Sequence, residues 1–407
     1  MLPQEKIDVV ILVNGPGELS SYVRPTVGEL VKLSQDLVIT LVFTPCPYST
    51  GKEIGIARGI PGVKNVIPAG DFIKWAFLKI RPKGVAFGKK GIVVFMGGDI
   101  LYGKIIAKRL KYPAIAYSEA YAKWPDIYKK FLVPDASIFE KLKRQGFPED
   151  QIKVVGNLMV DSIKIKRSKK EFLELNRFKA DKKLVAFLPG SREFQIKYTL
   201  PFYPRIIKML SEKRNDLQFA YIISPYLPLD KFRYRLERSG SSIVNGQIII
   251  DGIPVKIIVE DQFDAISASD LIVTIPGTNT AEVAVIGTPM VSIFPMDSFN
   301  MIPLEGIWDL IGRIPVLGYY FKRKYVKMMI EKTRFFAIPN IKTGRSIVPE
   351  LTGNIQAIDV AVVMDKLLNS PDILKEMSGQ LRAALGGPGA AKKIAQEILD
   401  ETLLKTS

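Results

Sequence analysis

In the first part of the chain, short apolar runs alternate with mixed polar segments: IDVVILV, LVITLVF, VKNVI, GIVVFMG, AIAYS and KVVG. Runs of this length, separated by amphipathic or loop-rich stretches, predict parallel strands buried on both faces with helical crossovers between them. A charged, helix-prone bridge, DSIKIKRSKKEFLELNRFKADKK, follows at 161–183 and predicts an interdomain boundary. The alternation then resumes with LVAFLPG, a helix around 200–214, LQFAYIIS, the pair QIIID and VKIIVE about the turn DGIP, DLIVTI and MVSIFP. Two successive doubly wound α/β halves are the simplest architecture, with ligands expected where strand C-termini open into a cleft. The remaining C-terminal stretch is helical by its apolar spacing, interrupted at LGGPGA (385–390). The predicted organisation is therefore a Rossmann-like domain over 1–165, with the terminal helix at about 372–407 packing back on it, and a second Rossmann-like domain over 166–371.

At 407 residues, 47% hydrophobic and 24% charged, the chain has room for two or three folded domains. Its formal charge of +17 suits an anionic partner: nucleic acid, a phosphorylated metabolite or an acidic membrane surface. The single cysteine, Cys46, and the lack of histidine exclude an intrachain disulfide, His-based zinc sites and His-dependent triads. Proton chemistry therefore falls to a carboxylate, Lys, Tyr or the substrate. The N-terminal MLPQEKIDVVILVNGPG has no secretory pattern, and no apolar run approaches the about 18 residues of a membrane span. A cytoplasmic location is the expectation.

Two loops share one design. LVAFLPGSRE ends a strand in Pro189-Gly190-Ser191-Arg192, and DLIVTIPGTNTAE ends another in Pro276-Gly277-Thr278-Asn279-Thr280. Each could aim backbone N–H groups, hydroxyls and a helix N-terminus at an anion, with Arg192 clamping a phosphate. Each also fits an ordinary capped strand-to-helix turn. Taken as a pair they suit a diphosphate, with Glu282 placed to accept hydrogen bonds from ribose hydroxyls; a first-turn Glu favoured by the helix dipole is the alternative. In the first half, ILVNGPGELSSYVRP offers Gly15 and Gly17 for close approach, with Glu18 and Ser20 as acceptor and hydroxyl; it does not fit G-x-G-x-x-G. Asp99, after a buried strand and two glycines, reads either as a general base or as the N-cap of the next helix, roles that can coexist. DFIKWAFLKIRPKG (71–84) and residues 301–336 mix aromatic and basic residues, as suits an anionic membrane surface or a core helix with a solvated basic face. No nucleic-acid-binding motif is present.

Together these motifs resemble lipid-A-disaccharide synthase and its relatives, inverting glycosyltransferases of the GT-B fold. The resemblance rests on FLPGSRE (187–193), PGTNTAEVAVIGTPMV (276–291), IPNIKTGRSIVPEL (338–351), Gly17-Glu18 with Ser20, and VVGNLMVD (154–161). It implies a UDP-sugar donor held by Gly190, Ser191, Arg192, Gly277, Thr278, Thr280 and Glu282, with Asn340 and Arg345 closing the same cleft. Asp99 would fall near the family's acidic motif associated with activity. Gly17, Glu18 and Ser20 would lie on the acceptor side, in the first domain. The acceptor would be a phosphorylated, acylated sugar linked to lipid at the inner face of the cell membrane, the enzyme being peripheral there. Neither a metal nor a cofactor is expected, no nucleic acid is implied, and a homodimer is plausible. Two departures stand out: the family's G-E-x-S-G-D reads Gly17-Glu18-Leu19-Ser20-Ser21-Tyr22, and its G-H-P reads Gly156-Asn157-Leu158. Both lie on the acceptor side. The alternatives are a UDP-sugar 2-epimerase of the same fold and a non-enzymatic basic protein that binds membrane or nucleic acid.

Overall fold

The computed structural model describes residues 6–46, 49, 51–119, 121–191, 193–225, 227–244, 247–295, 328 and 333–403. Internal contacts divide the chain into two units, Met1–Ile163 with Gly386–Ser407, and Lys164–Leu385. Each unit is organised on its own sheet.

Among the described residues, the first unit has a parallel seven-stranded sheet. Its strands are β1 (Ile7–Val13), β2 (Leu37–Phe43), β3 (Val63–Ile67), β4 (Gly91–Phe95), β5 (Ala114–Tyr117), β6 (Tyr128–Val133) and β7 (Ile152–Val154). Their order is β3-β2-β1-β4-β5-β6-β7. The apolar runs are strands because both faces are covered: Val9 through Val13 are all fully buried. β6 is a strand that the apolar pattern does not reveal, since Lys129 and Lys130 interrupt it. Lys130 is accommodated in the sheet with Nζ reaching Glu397 Oε2 (2.6 Å) and Glu401 Oε1 (3.2 Å), two carboxylates on the C-terminal helix.

The second unit's sheet comprises β8 (Lys183–Phe187), β9 (Leu217–Ile222), β10 (Ser242–Val244), β11 (Gln247–Ile250), β12 (Ile253–Ile258), β13 (Leu271–Thr274), β14 (Met290–Pro295) and β15 (Glu350–Gly353). Their order is β10-β11-β12-β9-β8-β13-β14-β15, parallel except for the antiparallel pairs β10–β11 and β11–β12. Asp251 (φ 46°) and Gly252 (φ 82°) turn the β11–β12 hairpin with the two positive φ values that a tight two-residue connection requires. The order of the parallel strands reverses between β1 and β4 in the first sheet and between β8 and β13 in the second, and the loops leaving those strands lie where doubly wound sheets bind ligands.

The interruption expected at 385–390 separates two helices, Pro371–Ala384 and Ala390–Leu403; of the stretch at about 372–407 expected to pack back on the first domain, only the second helix groups with the first unit. Gly386 (φ 78°) and Gly389 (φ 113°) break the run. Asp161 then receives the new helix: its carboxylate accepts from Gly389 N and Ala391 N, each at 2.6 Å. That fixes the last element to the first unit through the orphan donors of a helix start.

Candidate functional site

In the second unit the two expected loops leave β8 and β13, neighbouring strands on either side of the reversal. Gly190 adopts φ 98°, and a side chain there would collide with Gln195. The Ser191 N–H, expected to be offered to an anion, donates to Gln195 Oε1 at 3.0 Å. An anion at this loop would exchange places with that side chain. Arg192 lies outside the described residues.

The loop after β13 is more open. Gly277 (φ 133°) is exposed, and no atom lies within 4 Å of where its Cβ would stand. Thr278 is exposed at the first position of helix Thr278–Ile286. Thr280 corrects the expectation. It is fully buried, its hydroxyl donates to Gly277 O (2.7 Å) and accepts from Ile338 N (3.0 Å), so it braces the loop and has nothing left for a ligand. Glu282, one turn after Thr278, makes no hydrogen bond among the described residues. Although part of the residue is reached by solvent, burial pushes its carboxyl up to about 7. A carboxyl held this way gains from hydroxyl donors.

Asn340 is the second correction. Fully buried, it donates to Val348 O (2.8 Å) and Glu350 Oε1 (2.6 Å) and accepts from Ile347 N (2.8 Å) and Val348 N (2.9 Å). Glu350 in turn accepts from Phe336 N (2.7 Å) and Ala337 N (3.2 Å). Every polar atom of Asn340 is used inside the protein, so it cannot line a cleft. In the segment Ile338–Glu350, a short helix (Ile338–Thr343) is followed by a turn bonded back onto Asn340, and this turn carries Arg345, exposed and without a side-chain partner among the described residues.

In the first unit, helix Pro16–Glu18 passes through a π-turn, Leu19–Val23, into helix Arg24–Leu33. Pro25 explains the widened turn, since it lacks the N–H that a regular helix needs and its ring crowds the preceding carbonyls. The Thr26 hydroxyl donates to the Tyr22 carbonyl at 2.8 Å. Glu18 Oε2 accepts from Gly15 N (3.2 Å), and a Cβ at Gly97 would come within 3.0 Å of Glu18 Cγ. Glu18 is thus wedged between the ends of β1 and β4, with Gly17 and Ser20 half-buried beside it in sequence. Asp99 is exposed and caps helix Ile100–Leu110: Oδ1 accepts from Leu101 N at 2.9 Å. Asn157, which stands where the resembling family has His, caps helix Leu158–Ser162 by accepting from Met159 N at 3.0 Å.

The structure adds a cluster that the motifs do not name. The rings of Tyr22 and Tyr117 meet edge to face at 5.2 Å. Tyr117 OH donates to Glu119 Oε1 (3.3 Å) and accepts from Leu158 N (3.3 Å), and Tyr22 also hydrogen-bonds Glu119. Burial, reinforced by the Glu119 charge, pushes both phenols well above their ordinary range. Two protonated phenols on one carboxylate form a fixed donor–acceptor set at the ends of β1 and β5. Its one sequence trace is Tyr22 in the place of the resembling family's Asp.

The stretch 71–84 divides between core and surface. Phe72 and Trp75 of helix Ala69–Leu78 are buried, Trp75 stacking on Phe87 at 5.2 Å, whereas Phe77 (55%), Leu78 (64%) and Ile80 (55%) are exposed among Lys74, Lys79 and Arg81. The second such stretch, 301–336, lies outside the described residues except for Met328 and 333–336. No described helix is long and apolar enough to cross a membrane. No group of three or more potential metal-ligating side chains occurs among the described residues.

Residues 139–307 match the family model described as "Lipid-A-disaccharide synthetase". The lipid-A-disaccharide synthase of Syntrophus aciditrophicus is 26% identical over 272 residues, 66% of this chain and 61% of that protein. That of Persephonella marina is 24% identical over 65% of this chain and 63% of its own length. The chain thus spans about three fifths of the length of the curated relatives it matches. The crystal structure of UDP-GlcNAc 2-epimerase from Neisseria meningitidis bound to UDP-GlcNAc superposes with a TM-score of 0.54 at 12% identity, covering 98% of this chain and 100% of that one. The fold is GT-B-like, with two Rossmann-like domains.

Proposed function

We propose, from the chain's family relationship to lipid-A-disaccharide synthase and its GT-B-like fold, that the protein is a UDP-sugar-using enzyme whose nucleotide is held by the second unit. The observation that carries this reading is the placement of two small-residue loops at the strand reversal, β8 beside β13, with a helix N-terminus and Glu282 following β13, and with Arg345, its guanidinium unpaired among the described residues, on the segment that Ile338 N ties to Thr280. Gly190, Ser191, Gly277 and Thr278 would approach the diphosphate, Arg192 and Arg345 would offset its charge, and Glu282 would accept from the ribose hydroxyls. Thr280 and Asn340 serve the reading as braces.

The reaction it supports is transfer of a sugar, by family analogy an acylated glucosamine, to a lipid-linked phosphorylated sugar with inversion at the anomeric carbon. Asp99 keeps its cap through Oδ1 and would take the acceptor proton on its other oxygen as the new C–O bond forms and the bond to UDP breaks. Support of the departing UDP by cations and the helix dipole is the larger expected contribution. The exposed Phe77, Leu78 and Ile80 among cations would rest on an anionic membrane, where such a lipid acceptor lies.

A second reading, epimerisation at C2 of the UDP-sugar itself, is supported by the overlap of the fold with the Neisseria UDP-GlcNAc 2-epimerase along 98% of this chain. It needs no lipid. Mass spectrometry of products from UDP-N-acetylglucosamine and acylated UDP-sugars, with and without bacterial lipid extract, separates the two. Transfer gives free UDP and a glycosylated lipid only with extract; epimerisation gives an isomeric sugar nucleotide without it. Intact, unisomerised donors under all conditions would contradict both.

A further inference from the structure

A concavity of the second unit, built from none of the residues assigned above, is lined by cations. Lys197, Arg205, Arg235 and Arg238 surround a cavity of about 490 Å³ with Tyr234 at its wall. Ile196 and Leu200, both 1% exposed, form an apolar floor. No carboxylate lines it among the described residues. The volume falls within the range of small-ligand sites, roughly 300–1,000 Å³.

Local helix chemistry accounts for only part of this charge. Arg235 and Arg238 sit in the last turn of helix Leu229–Arg238, where the dipole favours cations. Arg205 sits in the first turn of helix Tyr203–Lys213, where the dipole opposes one. Neither Arg205 nor Lys197 forms an ion pair among the described residues. Arg238 is held over the Tyr234 ring at 5.7 Å, and its Nη1 donates to the phenol oxygen at 3.1 Å. Tyr234 itself is 58% exposed, so this pair stands ordered at the surface with its remaining donors open. Arg205 and Lys197, without an ion pair among the described residues, stand beside Arg238 at this cavity, and an anion there relieves the repulsion between these cations.

We infer that this cavity binds a phosphate ester, with the guanidinium groups on the phosphate and Tyr234, Ile196 and Leu200 against the less polar part of the ligand. The phosphate could belong to an anionic lipid headgroup or to a soluble compound. The test uses the full chain with saturating UDP throughout, so that the proposed nucleotide site is occupied. Arg205→Ala/Arg238→Ala is compared with wild type and with Lys392→Ala/Lys393→Ala, which removes two exposed cations from the C-terminal helix. One arm measures binding to vesicles of phosphatidylglycerol and phosphatidylcholine; the other titrates glycerol 1-phosphate by calorimetry. A loss of roughly tenfold or more in vesicle binding, for the cavity variant alone, supports the site with a lipid as the source. A similar loss confined to glycerol phosphate supports it with a soluble ligand. If the two double variants behave alike in both arms, the inference is overturned.

Discussion

In the second unit the loops after β8 and β13 keep the residues of the family they resemble, whereas in the first unit the loop after β1 carries Ser21 and Tyr22 where that family has Gly and Asp. The structure divides the retained residues into two kinds. Thr280, Asn340 and Glu350 are consumed by internal hydrogen bonds, while Gly277, Thr278 and Arg345 are displayed. The first unit shows the reverse: its departing residue, Tyr22, is drawn into a half-buried hydroxyl–carboxylate cluster with Tyr117 and Glu119. A retained motif can therefore be scaffold, and a departure can mark where the chemistry differs.

The comparison breaks first at Asp99. Asn caps a helix as well as Asp, so Asp99→Asn should leave folding and UDP-sugar binding within about twofold while turnover falls ~10²–10⁴-fold. Full turnover in that variant would leave Asp99 as a cap only. Next comes the scaffold of the second unit. Asn340→Ala strands buried backbone groups and a carboxylate, and should cost about 3 kcal/mol in urea unfolding. Arg345→Ala should do the opposite, leaving the unfolding midpoint unchanged and weakening UDP binding by roughly tenfold. If both variants lose only stability, or both only affinity, the division into braces and contacts is wrong.

A smaller effect concerns Glu282. In the free protein its carboxyl ionises at about 7, and ribose hydroxyls donating to it would favour the ionised form. Binding would then release a proton, so affinity for a UDP-sugar, whose diphosphate does not titrate in this range, should rise by several-fold as pH increases through about 7. Calorimetry across that window, with a flat profile in Glu282→Gln, checks the sign. An affinity that falls with rising pH would mean the ligand buries the carboxyl without donating to it. The smallest expected change sharpens the other side: Tyr22→Phe should leave donor affinity within about twofold, since the cluster belongs to the first unit.

Much of the fold is legible in the chain because parallel strands covered on both faces read as unbroken apolar runs. β6 is illegible locally, since the charge of Lys130 is answered by Glu397 far along the chain. β15, ELTG, is too polar to stand out and owes its pairing to β14. At the site, the motifs name the residues but not their roles. Nothing in PGTNT says that Thr280 will bond Ile338 while Thr278 stays open, because the partner lies in another segment. The Tyr22–Tyr117–Glu119 set likewise exists only once β1 and β5 share a sheet.

The central claim, that the second unit seats a uridine diphosphate, is tested most directly by titrating UDP into the full chain and into Gly277→Val. The position has open space but φ 133°, which a β-branched residue resists, so the substitution distorts only the loop. The account predicts a Kd between about 1 μM and 1 mM for wild type, weakened at least roughly tenfold in a variant that remains folded. Absence of binding heat with wild type at millimolar UDP, or equal affinity in both proteins, would contradict it.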